Sequence, residues 1–221
     1  MKLNHYITRV GLVLLLAAAA IIAGCAKSYV DPTYKDASYD QLTASTAPVK
    51  VVLEFEFQTN GKKNNTAEKA VRPMLVDMLR DSRVVTPVED TDQESGAGRL
   101  KITMNNVGDI GNAFAKGFGT GLTFGLIGSM VTDGYIFTAE YTPPGDENSI
   151  SKSYEHALYT AIGNKSGPDG LESMSPAEAF RAVLEDLVIV YLKDLQKDGY
   201  LAKVEILHSK HLMTFAYLTI E

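Results

Sequence analysis

The segment from Ser175 to Gly199 constrains the fold more than any other part of the chain, because every local signal in it is that of a long helix. Ser175 suits the cap position, Pro176 the first helical position, and Glu178 completes a capping box three residues after the cap. Gly199 is suited to end the helix. Apolar residues recur at helical spacing: Phe180, Val183, Leu184, Leu187, Tyr191 and Leu195. We expect a helix over 176–197 whose apolar face is covered by another layer.

Alternating apolar and polar residues predict a sheet that supplies this layer. In "LEFEF", Leu53, Phe55 and Phe57 alternate with glutamates, as in a strand with one buried face. Similar alternation predicts strands at 49–57, 83–88, 98–109, 134–144 and 151–163. Apolar residues at helical spacing predict a helix at 66–82. Pro73 either kinks that helix or marks where its regular part starts. The predicted fold class is α+β, a mixed or antiparallel sheet of about five strands with two helices packed on it.

The first 24 residues predict a signal peptide. Lys2 and Arg9 precede an uncharged apolar run of thirteen residues, Gly11 to Ala23. This order of charges and apolar residues is typical of secretory signals. The run is shorter than the ~20 residues that a permanent transmembrane helix needs.

The run ends in "IAGC", and Cys25 is the only cysteine of the chain. This box resembles the lipobox of bacterial lipoproteins. The resemblance implies that the Cys25 thiol receives a diacylglycerol, that the chain is cut before Cys25, and that the new amine is acylated, for instance by palmitate. Two or three acyl chains hold a protein firmly on a bilayer. Ala26 stands where inner-membrane lipoproteins usually have aspartate, which implies an outer-membrane location with the domain facing the periplasm.

Charge and cysteine usage exclude several classes of partner. The full chain has a net charge of −6, and loss of Lys2 and Arg9 with the signal peptide leaves −8. Such a chain is repelled by nucleic acid and gains no overall electrostatic attraction to a membrane. With one cysteine it forms no internal disulfide.

The segment after Cys25 has no sustained hydrophobic period. Residues 25–48 are therefore predicted to be the lipidated cysteine followed by a tether, ahead of a domain over 49–201. The alternative is that Tyr29, Tyr34 and Tyr39 dock part of this segment on the domain. Residues 202–221 are predicted to be an extended C-terminal tail.

An apolar glycine-rich insertion, 110–132, interrupts the domain. Its stretch "KGFGTGLTFGLIG" begins at Lys116, and its glycines recur every four residues and then after three: Gly117, Gly121, Gly125 and Gly128. This glycine zipper lets helices approach closely in an apolar setting, while Phe118, Leu122 and Phe124 occupy other faces. The uncharged run from Gly117 to Thr132 has 16 residues and would span ~24 Å as a helix.

Three interpretations of this insertion stay open. It is a helix or helical hairpin that enters or lies on the outer membrane and packs against copies of itself, or a flexible loop, or a segment tucked into the core. An exposed loop this apolar needs a partner or a lipid to cover it. The sequence favours the membrane interpretation.

Taken together, Cys25, the zipper of Gly117, Gly121 and Gly125, and the order of elements resemble the conjugative surface-exclusion, or complement-resistance, lipoproteins of Gram-negative bacteria. The resemblance implies an envelope location and a homo-oligomer. There is a looser similarity to glycine-bearing lipoproteins whose α+β domains build secretion-pore rings. The zipper here is shorter than in the surface-exclusion pattern, which also lacks the final helix.

Motifs for catalysis are missing from the sequence. It contains no nucleophile elbow, HExxH, CxxC or phosphate loop. His208 and His211 would face opposite ways on a strand, His156 is expected to be a surface or satisfied residue, and the acidic stretch 89–95 lacks EF-hand spacing. We predict no enzyme activity, no cofactor and no metal.

The leading hypothesis is a non-catalytic, lipid-anchored outer-membrane protein that self-assembles through its glycine zipper. A second hypothesis is an accessory lipoprotein that binds and regulates an envelope partner, such as a cell-wall synthase, or a transport or secretion component. A third is a periplasmic hydrolase.

Overall fold

A seven-stranded mixed sheet carries both helices of the described chain on one face. The computed structural model describes residues 26–88, 96–108, 131–162 and 167–201. The strands are β1 (Ala26–Val30), β2 (Val49–Thr59), β3 (Lys62–Lys63), β4 (Val85–Val88), β5 (Gly98–Val107), β6 (Val131–Thr142) and β7 (Ile150–Ile162). The helices are α1 (Asn65–Asp81) and α2 (Pro176–Lys197).

The strand order is β1-β7-β6-β5-β2-β3, and β4 lies beside the first part of β2. Strand β2 runs parallel to β4 and β5, and the other pairs are antiparallel. The α+β class with a mixed sheet and two packed helices is confirmed. The expected number of about five strands was too low, because β1 and β3 are additional.

The core lies between the helices and one face of the sheet. Alternate residues of β2 point into it, and Leu53, Phe55 and Phe57 are buried, as their alternation predicted. Leu184 and Leu187 of α2 are fully buried in the same cluster. The buried apolar residues of both helices and five strands form one continuous cluster, as expected of a single-core domain.

Helix α2 has the bounds that its capping signals predicted. The Ser175 side chain accepts from the Glu178 backbone N–H, and the Glu178 carboxylate accepts from the Ser175 N–H at 2.9 Å. Helix α1 continues through Pro73, whose side chain is exposed. Its cap is Asn64, whose side-chain oxygen accepts from the Ala67 N–H at 3.1 Å.

Residues 26–42 of the predicted tether over 25–48 pack on the domain instead. Strand β1 begins at Ala26 and pairs with β7 over five residues, and Tyr29 and Leu42 are buried. Two 3-10 turns, at Pro32–Tyr34 and Tyr39–Gln41, continue the segment across the domain. The alternative, that Tyr29, Tyr34 and Tyr39 dock the segment, describes the structure better.

The predicted insertion 110–132 extends two residues too far at its C-terminal end. Strand β6 starts at Val131, so the last two of those residues belong to the sheet. The remainder of the insertion lies outside the described residues, as do the acidic stretch 89–95 and the tail 202–221.

Buried tyrosines predict the response of the fold to alkali. Burial raises the pKa of Tyr39 and Tyr141 from 10.0 to about 12, and it also raises the pKa of Tyr154 and Tyr191. Because these pKa values are higher in the folded state, their contribution to stability is complete below pH 10. We expect it to be lost as the pH rises from 10 through about 12.

Tyrosinate absorbance and circular dichroism, followed in one alkaline titration, check this expectation. The two signals should change together above pH 10, whereas urea-unfolded protein should ionise near the ordinary pKa of 10.0. Full ionisation of the tyrosines at pH 10 with an intact dichroism spectrum would contradict it.

Candidate functional site

The site residues that the sequence predicted all lie outside the described residues. These are the lipidation site Cys25 and the membrane or self-association residues Gly117, Gly121, Gly125, Gly128, Phe118, Leu122 and Phe124. The residues next to Cys25 and next to the glycine-rich segment are among the described residues. Ala26 follows Cys25, and Gly108 and Val131 flank the segment that contains the zipper.

These flanking residues lie at one end of the sheet. Ala26 pairs with Ile162, the last residue of β7, and Val131 pairs with Thr160. Val107, the last residue of β5, pairs with Gly134 near the start of β6. We call this the proximal end of the sheet, formed by the start of β1, the start of β6 and the ends of β2, β5 and β7. The opposite end is the distal end.

Strand spacing gives the distances along the proximal end. Neighbouring strands lie ~4.8 Å apart, so β1 and β6, which have only β7 between them, are ~10 Å apart. Strand β5 is one strand further. Cys25 directly precedes the first residue of β1 in the sequence. Ala26 and Val131 are close neighbours, whereas Val107 lies level with Ala157, five residues before Ile162 along β7.

A tight turn fixes the point where the glycine-rich segment leaves β5. Asn60 and Gly61, which join β2 to β3, have φ values of 51° and 76°, and this left-handed conformation suits Asn-Gly. The Asn60 Oδ1 accepts from the Gly108 N–H at 3.2 Å, and the Asn60 N–H donates to the Asn106 carbonyl at 2.8 Å. The turn thus holds the chain just beyond the end of β5.

Basic side chains surround this turn. Lys62, Lys63 and Lys69 are exposed, and Glu68 is the only acidic residue between 59 and 70. The Lys63 Nζ lies 3.3 Å from a Glu68 carboxylate oxygen. This corner of the proximal end is positive, although the whole chain is negative. The Asn-Gly pair at 60–61 is the sequence signal for this hairpin.

Both helices begin at the proximal end. The Asn64 N–H donates to the Phe57 carbonyl at 2.8 Å, which sets the start of α1 beside the end of β2. Met174 exchanges two backbone hydrogen bonds of 2.9 Å with Ser28 of β1, and α2 starts two residues later. The positive ends of both helix dipoles therefore face this end of the domain.

Asp31 secures the segment that follows Cys25. Its N–H donates to the Ala157 carbonyl at 3.0 Å, and one carboxylate oxygen accepts from the Tyr159 hydroxyl at 2.6 Å. The Ser28 and Thr160 hydroxyls are hydrogen-bonded at 3.0 Å. A lipid on Cys25 would consequently be attached almost directly to the sheet.

His156 is a structural residue in this geometry. It is fully buried, its Nδ1 accepts from the Ala157 N–H at 3.0 Å, and its Nε2 lies 3.0 Å from an Asp186 carboxylate oxygen. The proton is thus on Nε2 and is donated to Asp186. Neither ring nitrogen is left to serve a substrate. The satisfied role of His156 is confirmed, and the surface position is excluded.

A polar concavity of about 900 Å³ lies on the sheet face away from the helices. Its charged lining includes Glu54, Arg99, Lys101 and Glu140, and Arg99 lies 3.5 Å from Glu54. Acidic and basic groups alternate there as on an ordinary solvated sheet surface. The concavity carries no arrangement of nucleophile and base.

Two further findings concern the described residues. Within 26–88, 96–108, 131–162 and 167–201, no three histidine, cysteine or acidic side chains converge in a way that could hold a metal ion. In the same ranges, neither helix has the length and apolar composition needed to cross a membrane.

The sequence matches no model of a known protein family and no curated protein. Among solved structures, it is similar to a neuraminyllactose-binding hemagglutinin homolog from Helicobacter pylori, with 13% identity and a TM-score of 0.38, over 76% of this chain and 92% of the other. It is also similar to a PelC variant, a dodecamer from Paraburkholderia phytofirmans, with 13% identity and a TM-score of 0.30, over 66% and 93%. Similarities at this level carry no functional argument.

Proposed function

We propose that this chain is a non-catalytic, lipid-anchored envelope protein that associates with the outer membrane and self-assembles through its glycine zipper. One observation carries the proposal. The residue after Cys25 and both residues that flank the glycine-rich segment lie at the proximal end of the sheet, and Val131 is the nearer of the two to Ala26.

The acyl chains on Cys25 would hold the proximal end against the bilayer. The segment between Gly108 and Val131 leaves from that end and returns to it, so its apolar residues start beside the lipid. Exposed apolar segments are rare in monomers, and here a membrane and other copies of the segment are available to cover it. The domain itself then extends into the periplasm.

Self-assembly is the second half of the proposal. Glycines at four-residue spacing let helix backbones approach closely, which favours association in an apolar setting. A larger side chain at the centre of the row, at Gly121, prevents this approach. We therefore expect Gly121→Leu to convert a discrete oligomer of the detergent-extracted, lipidated protein into monomers, as measured by multi-angle light scattering.

Gly108→Leu is a matched control, because a side chain at Gly108 meets no atom within 4 Å. This variant should remain oligomeric, and both variants should retain the dichroism spectrum of the wild type. A monomeric wild-type protein, or an oligomer unchanged by Gly121→Leu, would refute self-assembly and redirect attention to a partner protein. Cys25→Ser separately tests the anchor, since it should move the protein out of the membrane fraction.

A further inference from the structure

We propose that the corner of the proximal end formed by Lys62, Lys63 and Lys69 lies on the anionic headgroup layer of the membrane and holds the domain in one orientation. We call this corner the lysine corner. The inference rests on the lipidation of Cys25 proposed above, and it adds an orientation and a second contact that lipidation alone does not provide.

A lipid anchor by itself leaves the tilt of a domain undetermined. Here the anchor is at one edge of the sheet, because Cys25 precedes β1 directly. The lysine corner is at the opposite edge, on β3 and the start of α1. Five strand spacings of ~4.8 Å separate β1 from β3, about 24 Å in all. By the register, Lys62 lies level with His156 of β7, six residues before the level of Ala26, so contact at both edges would hold the strands tilted from the membrane normal.

Charge selects the headgroup layer as the occupant of this corner. The three lysines are exposed and Glu68 is the single acid among residues 59–70, in a chain that is otherwise acidic. The α1 N-terminus adds a positive dipole end beside Lys63. Anionic lipid attracts such a cluster when it lies within a Debye length of the surface.

The remaining charges of the proximal end are compatible with this orientation. The exposed charges here are Lys27 of β1, Asp169 and Glu172 on the connection beside β1, and Glu178 in the first turn of α2, and Asp133 of β6 is partly exposed. They lie at the anchored edge, where covalent lipid attachment holds the chain regardless of charge. Anionic headgroups repel the acidic side chains at that edge and attract the lysine corner, so both effects tilt the domain towards the lysine corner.

A labelling experiment on the full lipidated protein tests the proposal. Cys25 is acylated and is the only cysteine, so one introduced cysteine carries the dye. Thr66→Cys labels the first turn of α1 at the proximal end, and Ser149→Cys labels the loop before β7 at the distal end. Both positions are exposed. The protein is reconstituted in phosphatidylethanolamine vesicles with or without phosphatidylglycerol, and headgroup nitroxide lipid serves as the quencher.

We expect strong quenching of the Thr66 label in vesicles with phosphatidylglycerol, weaker quenching without it, and little quenching of the Ser149 label in either. Lys62→Gln with Lys63→Gln should shift the docking equilibrium by about 25-fold, since each lysine near an anionic surface contributes about a factor of five. The pair Lys35→Gln with Lys197→Gln removes the same charge away from the proximal end and should leave the quenching unchanged.

Equal quenching of the two labels, or quenching at Thr66 that is insensitive to the Lys62 and Lys63 substitutions, would overturn the lysine corner as a membrane contact. Because the protein would still be anchored, that result leaves the proposed function intact. A purified chain whose mass contains no acyl groups would instead overturn the proposed function, and this inference with it.

Discussion

A mature chain that begins at Val49 instead of Cys25 is expected not to fold stably. The shortened chain lacks β1, so β7 loses its partner over five residues. It also loses the buried side chains of Tyr29, Asp31 and Leu42. Burial of a large apolar side chain contributes ~1.5–3 kcal/mol and a hydrogen bond ~0.5–1.5 kcal/mol, so these losses approach the 5–15 kcal/mol of a typical domain.

Contacts with α2 add to the loss. The Thr43 N–H donates to the Gln196 Oε1 at 3.0 Å, and the Gln196 Nε2 donates to the Thr43 carbonyl at 2.7 Å. The Lys193 Nζ donates to the Gln41 Oε1 at 2.9 Å. Removal of residues 25–48 breaks all of these bonds to the end of the helix.

Thermal unfolding followed by circular dichroism measures the effect. The control is the chain that begins at residue 25 with Cys25→Ser, which has no lipid but keeps β1. We expect a cooperative transition for the control and none for the chain that begins at Val49. A cooperative transition within a few degrees of the control would mean that residues 25–48 are a tether after all.

The second large effect is expected for the buried histidine. His156→Ala should lower the free energy of unfolding by roughly 3–5 kcal/mol, because it opens a cavity and leaves two groups without their partner. The Ala157 N–H loses its acceptor, and the Asp186 carboxylate, whose side chain is 18% exposed, loses its donor. The Tyr34 ring, which meets the imidazole edge-on at 5.1 Å, loses that contact.

A double-mutant cycle separates the interaction free energy of His156 with Asp186 from the packing contribution of each side chain. Asp186→Ala alone should cost about 1–3 kcal/mol, because it strands the buried Nε2–H. The double variant should cost less than the sum of the single changes, since the two groups interact directly. Ser151→Ala, on the exposed face of the same strand, serves as the control and should change stability by less than about 0.5 kcal/mol. Full additivity in urea unfolding would contradict the pairing of His156 with Asp186.

The sequence predicted those parts of the fold whose stability depends on local patterns. The cap at Ser175 and the apolar stripe of α2 are both short-range features, and the helix has the predicted bounds. The alternation of Leu53, Phe55 and Phe57 likewise marks β2 without reference to any other strand. In periodic segments of this length, the spacing of the apolar residues alone indicates the secondary structure.

Strand β1 could not be recognised in this way. Its sequence "AKSYV" is five residues long, and on its buried positions it places a serine beside a tyrosine. Ser28 is buried because Thr160 and Met174, far away in sequence, satisfy its polar groups. Because β1 is held by residues far away in sequence, it has no hydrophobic periodicity that would identify it as a strand.

The proximal end was missed for a related reason. Cys25 and Lys62 are far apart in sequence, and only the strand order sets β1, which follows Cys25, and β3, which carries Lys62, at opposite edges of one sheet. Register also brought the two flanks of the glycine-rich segment to the same end of the sheet as Ala26, which no local pattern predicted.

The pairing of the first strand with the last also determines when the sheet can be completed. Ser28 and Thr160 are 132 residues apart, so a growing chain contains its first strand long before the last. Contacts this distant in sequence form slowly. When β7 does arrive, its exposed edge is a hazard for aggregation until β1 covers it. If Cys25 is acylated as proposed, maturation of the N-terminus and closure of the sheet edge would be successive steps of one assembly process.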